Sequence, residues 1–413
     1  MEFENHRDKF LFLYYSKLKP TNKEQAMKRK KSLLFSLFLC IALVFLSSYL
    51  MIHMYKEMKV KEFVLLPFQA HKSKQTLVEA KSFSETITLG AIGDILIHDW
   101  VYNDAKTETG YNFIPMFQHI KPTLQKPDLL LANQETILGG NEIGISSYPT
   151  FNSPQEVGDA LIDAGVDIVS TANNHSLDKG EKGLIASLEY MDKIGLPNVG
   201  TYRNITDKQQ LQVLNKNGIK IAYLSYTYGT NGIPVPKGKE YLVNLIDKEA
   251  MKEEISRAKK QADVIVMSIH WGNEYQRFPT AEQKEIAQFL VDEGVDIIFG
   301  HHPHVLQPME WRNAADGSQS LVVYSLGNFI SGQNKNYKDI GGMATIEVTK
   351  TIDKDGIKIS LANPDFHPTY VYKINRIRNY RVVPLQDAGK FELENAQKKY
   401  EEIQQHMLGQ LYK

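Results

Sequence analysis

The stretch FGHHPHVLQP, residues 299–308, decides how this chain is read. It sets three histidines within four positions, in a chain that has 12 histidines among 413 residues. Each buried imidazole needs a partner at both ring nitrogens, and three adjacent rings make that hard to meet by packing. A metal ion meets the demand and a solvated histidine-rich loop avoids it, so the stretch alone suits either. Pro303 separates His302 from His304, and in an extended backbone both rings would project on one face, within reach of neighbouring cations. Upstream lie a helical pattern over Ala281 to Asp292, Gly294, and the short apolar run Val295 to Ile298, which predicts a strand delivering the histidines at its C-terminal end.

The same device occurs earlier. DAGVDIV (163–169) and DEGVDII (292–298) share a helix end, a glycine and a short β-branched strand, and a polar histidine-bearing loop follows each. Other strand-like runs also end in polar clusters: Ile87 to Ile92 before Asp94, Leu129 to Leu131 before Asn133 and Glu135, and Val264 to Met267 before His270. Helices are expected over Gln155 to Ala164, Glu181 to Ile194 and Lys248 to Lys260, and Asn217-Gly218 predicts a hairpin turn. Strands alternating with helices predict an α/β fold whose strand ends share a rim, where a ligand site forms. Six of the histidines (98, 175, 270, 301, 302 and 304) fall in these loops. Two divalent cations about 3.5 to 4 Å apart need imidazole, carboxylate and amide ligands from several directions, which successive strand ends supply. Each loop alone has an ordinary structural explanation, as a turn, a helix cap or a packed strand end; their coincidence on one rim favours a site.

Composition narrows the classes. Forty-eight basic residues balance 48 acidic ones, so nothing argues for nucleic-acid binding. Cys40 is the single cysteine, which rules out an internal disulfide and a cysteine-rich zinc cluster, leaving His, Asp, Glu and Asn to hold any metal. Leu33 to Ile52 carries no charge over about 20 residues, the length a bilayer core requires. Lys28-Arg29-Lys30-Lys31 precedes it, so the positive-inside rule keeps residues 1–32 cytoplasmic and sets the rest outside the cell membrane. The reading is a single-pass anchor over 33–53, an extracellular linker over 54–85, a main domain over 86–333, and a region over 334–413 that completes it or is appended to it. In that last region strands are expected at Ala344 to Val348, Ile357 to Leu361 and Pro368 to Ile374, a turn at Asn363 to Pro368, and a helix within Glu392 to Leu411.

In this order, GAIGDILIH (90–98), LLANQETIL (130–138), VSTANNHSLDKG (169–180), IHWGNEY (269–275), GHHPHVLQ (300–307) and YSLGNFI (324–330) closely resemble the CapA or PGA_cap family of poly-γ-glutamate capsule biosynthesis proteins. The resemblance covers roughly residues 86–333, and a membrane anchor before an extracellular domain resembles the capsule proteins of Gram-positive bacteria. It implies a calcineurin-like metallophosphoesterase fold, a sandwich of two mixed β-sheets flanked by helices with a dinuclear site at the strand ends. It further implies a role in making, exporting or anchoring the polymer, with poly-γ-glutamate or another anionic envelope polymer and membrane-bound synthase subunits as partners. Carried over by motif, Asp94, Glu135, Asn174, His270, His302 and His304 are the expected ligands of two divalent ions (Mn, Fe, Zn or Mg), with His175 as the catalytic general acid. Asn133, His98, Glu274, His301 and Asn328 are further site residues to weigh. Two departures stand out: the usual Asp-x-His is replaced by Asp94 with His98 four residues on, and the bridging Asp by Asn133-Gln134-Glu135. The alternatives are a free-standing cell-surface metallophosphoesterase acting on an envelope substrate, and a non-catalytic scaffold for synthase and polymer.

Overall fold

The computed structural model describes Met27, Lys31 and residues 41–54, 82–375 and 377–412. Nearly all of the expected cytoplasmic segment, residues 33–40 of the expected anchor and most of the expected linker lie outside these residues. Residues 41–54 are helical and exposed, and among the described residues no helix is long and apolar enough to cross a membrane. The chain divides into Met1–Val78 and Glu79–Lys413. The second unit carries the strands β1 (Phe83–Leu96), β2 (Leu129–Gln134), β3 (Ile168–Ser170), β4 (Asn198–Val199), β5 (Gln212–Lys216), β6 (Ile219–Thr227) and β7 (Val264–His270). These are followed by β8 (Ile297–His301), β9 (Leu306–Asn313), β10 (Gln319–Leu326), β11 (Asn328–Ser331), β12 (Ile340–Asp353), β13 (Gly356–Ile374) and β14 (Arg378–Pro384). Its longer helices are α1 (Glu156–Ala164), α2 (Gly180–Ile194), α3 (Lys248–Ala258), α4 (Ala281–Asp292) and α5 (Ala396–Leu408).

Two mixed sheets result. One runs β14-β13-β12-β1-β2-β3-β4 with β11 also beside β1; the other runs β5-β6-β7-β8-β10-β9. Period-two alternation divides each central strand between two cores. Leu89, Leu131, Val266 and Phe299 point into the layer between the sheets. Leu130 and Ala132 instead pack under α1 and α2 with Leu161 and Leu188, while Ile265 and Ile298 pack under α3 and α4 with Ile255 and Leu290. The order is therefore helix, sheet, sheet, helix, and α5 adds Ile403 and Met407 to the inter-sheet core.

Four aspartates fix the parallel registers. Asp128, Asp167, Asp263 and Asp296 stand at strand entries, and each Oδ2 accepts a backbone N–H from the adjoining strand: Thr88, Leu130, Lys220 and Ile265, at 2.7 to 2.9 Å. The β5–β6 hairpin turns at Asn217 and Gly218, both with positive φ, as the Asn-Gly pair predicts. Helix α4 spans the predicted residues and starts with a capping box between Thr280 and Gln283. Three expectations are corrected. The separate strands at 357–361 and 368–374 are one, β13, because Asn363, at φ 51°, absorbs a register shift against β12 without ending the pairing. The expected turn at 363–368 thus lies inside a strand. And β12 extends far beyond 344–348, pairing with β1 along most of the latter's length.

Candidate metal centre

Strands from both sheets end at one rim. At the end of β1 the register shifts between Ile92 and Asp94, and a side chain at Gly93 would meet the Gly327 carbonyl oxygen at 2.0 Å. Only glycine lets the chain come close enough for the Asp94 amide to donate to that carbonyl at 2.8 Å. Asp94, fully buried, receives Asn133 Nδ2 on Oδ1 at 2.8 Å and lies 3.1 Å by Oδ2 from His304 Nδ1. His301 Nδ1 is 3.6 Å from Oδ1, beyond hydrogen-bond length. Glu135, just past β2 and fully buried, sits between two imidazoles: its Oε1 is 3.7 Å from Nε2 of both His270 and His304. His270 closes β7, with Nε2 2.8 Å from Asn174 Oδ1 and Nδ1 3.4 Å from Asn133 Nδ2. His302 packs on His270 and His304 at centroid distances of 4.9 and 5.8 Å. Ligating atoms of Glu135, His302 and His304 all lie within 4.8 Å of one another.

The His302-Pro303-His304 segment is not extended, contrary to the expectation. His302 has φ 95° and His304 φ 57°, a left-handed turn that converges the rings where strand alternation would set them side by side. Such a conformation costs a non-glycine residue on the order of 1–3 kcal/mol and persists where its surroundings hold it. Part of that hold is the Tyr275 amide, which donates to the Pro303 carbonyl at 2.7 Å.

Burial and the neighbouring charges set the protonation of the cluster. Burial would raise the Asp94 carboxyl, but His301 and His304 outweigh it and hold it well below the ordinary range. Burial pushes Glu135 well above its range. Burial works against a charged His304 too, yet Glu135 and Asp94 raise it to about 9. Burial lowers His302 to about 3 and His270 well below its usual value, leaving both neutral, the form that ligates metals. Both oxygens of Glu135, both ring nitrogens of His301 and Nδ1 of His302 are buried without a hydrogen-bond partner among the described residues. Buried polar atoms are rarely left so, and imidazole with carboxylate and amide oxygen is a donor set suited to Mn, Fe or Zn. The residues fit a divalent ion.

His175 stands beside this cluster. Its Nδ1 is 2.7 Å from Asp178 Oδ2, which also accepts the Phe151 amide at 2.5 Å, and the Phe151 ring meets the imidazole edge-on. That pairing fixes the ring. Asp94, Asn133, Glu135, Asn174, His175, His270, His301, His302 and His304 are thus brought together. His98 is not in that cluster: its Nδ1 lies 3.2 Å from both the Leu96 carbonyl and the Gly332 amide. Glu274 is exposed beside Tyr275. Asn328, opposite Asp94 in the sheet, gives its amide to Gln333 Oε1 and the Lys338 carbonyl. Sequence reasoning missed Asp178, Asn231, whose Oδ1 receives Asn174 Nδ2 at 3.1 Å, and Tyr228, which packs 4.7 Å from His302. The last two follow β6, whose end belongs to the same rim.

Residues 88–333 match the family described as bacterial capsule synthesis protein PGA_cap. The chain belongs to that family. This PGA_cap chain is 30% identical over 276 residues to the PGA biosynthesis protein CapA of Bacillus subtilis (strain 168), covering 66% of this chain and 70% of that one. It is 29% identical over 258 residues to the capsule biosynthesis protein CapA of Bacillus anthracis, covering 60% of this chain and 61% of the relative's length. Among solved structures it is similar to the calcineurin-like phosphoesterase YfkN of Bacillus subtilis, at 18% identity and a TM-score of 0.42 over 69% of this chain and 91% of that one.

Proposed function

We propose that the protein is a membrane-anchored extracellular component of an apparatus that makes, exports or anchors an anionic γ-linked glutamate polymer, and that its rim centre is a metal-dependent hydrolase site. The observation that carries the catalytic part is the pairing of an ordered proton donor, His175 on Asp178, with a cluster of buried nitrogen and oxygen atoms that lack partners. Asp94, Glu135, Asn174, His270, His302 and His304 would hold two divalent ions, with Glu135 between the His270 and His304 sides. Bound there, such ions supply Lewis-acid polarisation of the scissile group. The chain's own groups do the rest: Asn133 orients Asp94 and His270 through its amide, Asp178 holds the His175 ring, and His175 hands a proton to the departing atom. The relatives' role in capsule and PGA biosynthesis supports placing this centre in polymer assembly.

The test is His175→Ala in cells that make surface polymer. The variant should keep wild-type abundance and metal content and lose turnover by about 10²- to 10⁴-fold, the usual worth of a general acid, and with it the polymer. Normal polymer from that variant would overturn the catalytic reading in favour of a scaffold.

A further inference from the structure

We propose that the groove beside the centre, formed by His98, Trp100, Tyr275, Gln333, Asn334 and Lys338, binds a carboxylate-bearing polyamide chain. The inference rests on the function proposed above and specifies how substrate would be held.

The groove is an open cleft of 240 Å³. Its wall is one ring away from the centre, since Tyr275 packs 6.2 Å from His304. Trp100 and Tyr275 are 42% and 47% exposed, so part of each ring is open to the cleft. Lys338 lies 4.6 Å from the Tyr275 ring centroid and forms no ion pair with a carboxylate among the described residues. One cation, two aromatic faces and two side-chain amides therefore line one cleft. They answer parts of a repeating unit that carries a carboxylate, a methylene stretch and an amide link: Lys338 the carboxylate, Trp100 and Tyr275 the methylenes, and Asn334 the amide, while Gln333 is held by Asn328 and the Tyr275 hydroxyl and shapes the wall. A phosphate group would call for more than one cationic side chain, and among the lining residues Lys338 is the single lysine or arginine.

The wall is also built to stay in place. Tyr275 has φ 65° and is held by its amide bond to Pro303. Lys335, Asn336 and Tyr337 likewise have positive φ, so the loop before Lys338 is a sequence of left-handed residues. Asn328 staples that loop by donating to Gln333 Oε1 and the Lys338 carbonyl, while Lys373 Nζ donates to the Gln333 carbonyl at 2.8 Å. At the other wall a side chain on Gly332 would meet His98 Cβ at 2.7 Å, so glycine there lets loop and imidazole touch. Strain held by several independent bonds marks a segment whose shape is used.

The experiment uses the purified full-length protein and a γ-linked glutamate oligomer of about ten residues, with binding followed by calorimetry and tryptophan fluorescence. Lys338→Gln should weaken binding about fivefold and reduce its salt dependence, and Lys338→Arg should restore both. Trp100→Ala should cost about fivefold as well. Bound metal and melting temperature should be unchanged in all three, which separates loss of contact from loss of fold. Binding of the oligomer with wild-type affinity by both Lys338→Gln and Trp100→Ala would overturn the groove assignment while leaving the proposed function standing. Failure of the wild-type chain to bind the oligomer, whether or not it binds inorganic phosphate, would overturn it too; the proposed function would then stand or fall on the His175→Ala cells.

Discussion

Replacing Glu135 by glutamine should stabilise the metal-free protein and weaken the metal-loaded one. Glu135 is fully buried, neither oxygen has a hydrogen-bond partner among the described residues, and the imidazole nitrogens nearest to Oε1 are 3.7 Å away. A buried polar group left unsatisfied costs roughly 1–3 kcal/mol, more when charged. An amide of the same shape cannot ionise, and it keeps an oxygen that can accept from the Nε2 N–H of His270 or His304, so the site no longer buries an acid. With an unfolding entropy of about 2.1 cal/mol/K per residue, a folded unit of about 330 residues shifts its Tm by about 1.4 °C per kcal/mol, so the Glu135→Gln protein in chelator should melt about 1–4 °C higher. Adding Mn²⁺ or Zn²⁺ should reverse the order. Wild type would gain roughly 3–4 kcal/mol at 100- to 1,000-fold excess of metal over Kd, and the variant less. Scanning calorimetry with and without metal reads both halves. A Glu135→Gln chain that melts several degrees lower in chelator would mean that Glu135 is a structural acid sustained by His304, and its role as ligand would be lost.

The remaining predictions concern pH and topology. Burial holds the Asp296 carboxyl at about 6 although it accepts the Ile265 amide, so the folded state binds this proton more tightly than the unfolded chain at 3.8. Stability from this group is therefore full below about pH 4 and is lost as pH rises through 6; Asp296→Asn should flatten that part of the curve and be more stable at pH 7 by roughly 2–3 kcal/mol, and the same pH dependence of unfolding free energy in both proteins, from urea titrations at several pH values, would refute it. Protease added to intact protoplasts should degrade the unit from Glu79 onward and spare the N-terminal segment; its full protection would sink the orientation inferred from Lys28 to Lys31.

What the sequence made legible was whatever depends on neighbours along the chain. Asn217-Gly218 named its hairpin, Thr280 with Gln283 its helix start, and the apolar runs before Asp94, Asn133, His270 and His301 their strands. The rim followed because strand ends in an α/β sheet share an edge. Less legible were contacts set by packing. Nothing local shows that His302 and His304 turn left-handed, since the hold on Pro303 comes from Tyr275, on another strand's loop. Nor does the sequence near Asn174 announce Asn231, which reaches it from the segment after β6. Asp178 was in plain view three residues after His175, but i,i+3 spacing acquires a role only once the intervening turn is known. The strand-entry aspartates had a local signal, an Asp at the head of each apolar run, whose meaning needs the neighbouring strand.

The proposed ligands come from both sheets: Asp94, Glu135 and Asn174 from one, His270, His302 and His304 from the other. Asp94 and His304 are 210 residues apart in sequence, and Asn174 and His270 are 96 apart. The 299–308 segment alone offers imidazoles without an oxygen donor among its side chains other than the Gln307 amide. An unfolded chain therefore holds no complete coordination set, and selection of the ion waits until the sheets have packed. Which metal the protein carries would then be decided by the compartment in which it folds rather than the one in which it is synthesised. If this unit crosses the membrane before folding, its metal is drawn from the cell's surroundings, and external supply rather than the cytoplasmic pool would set its loading.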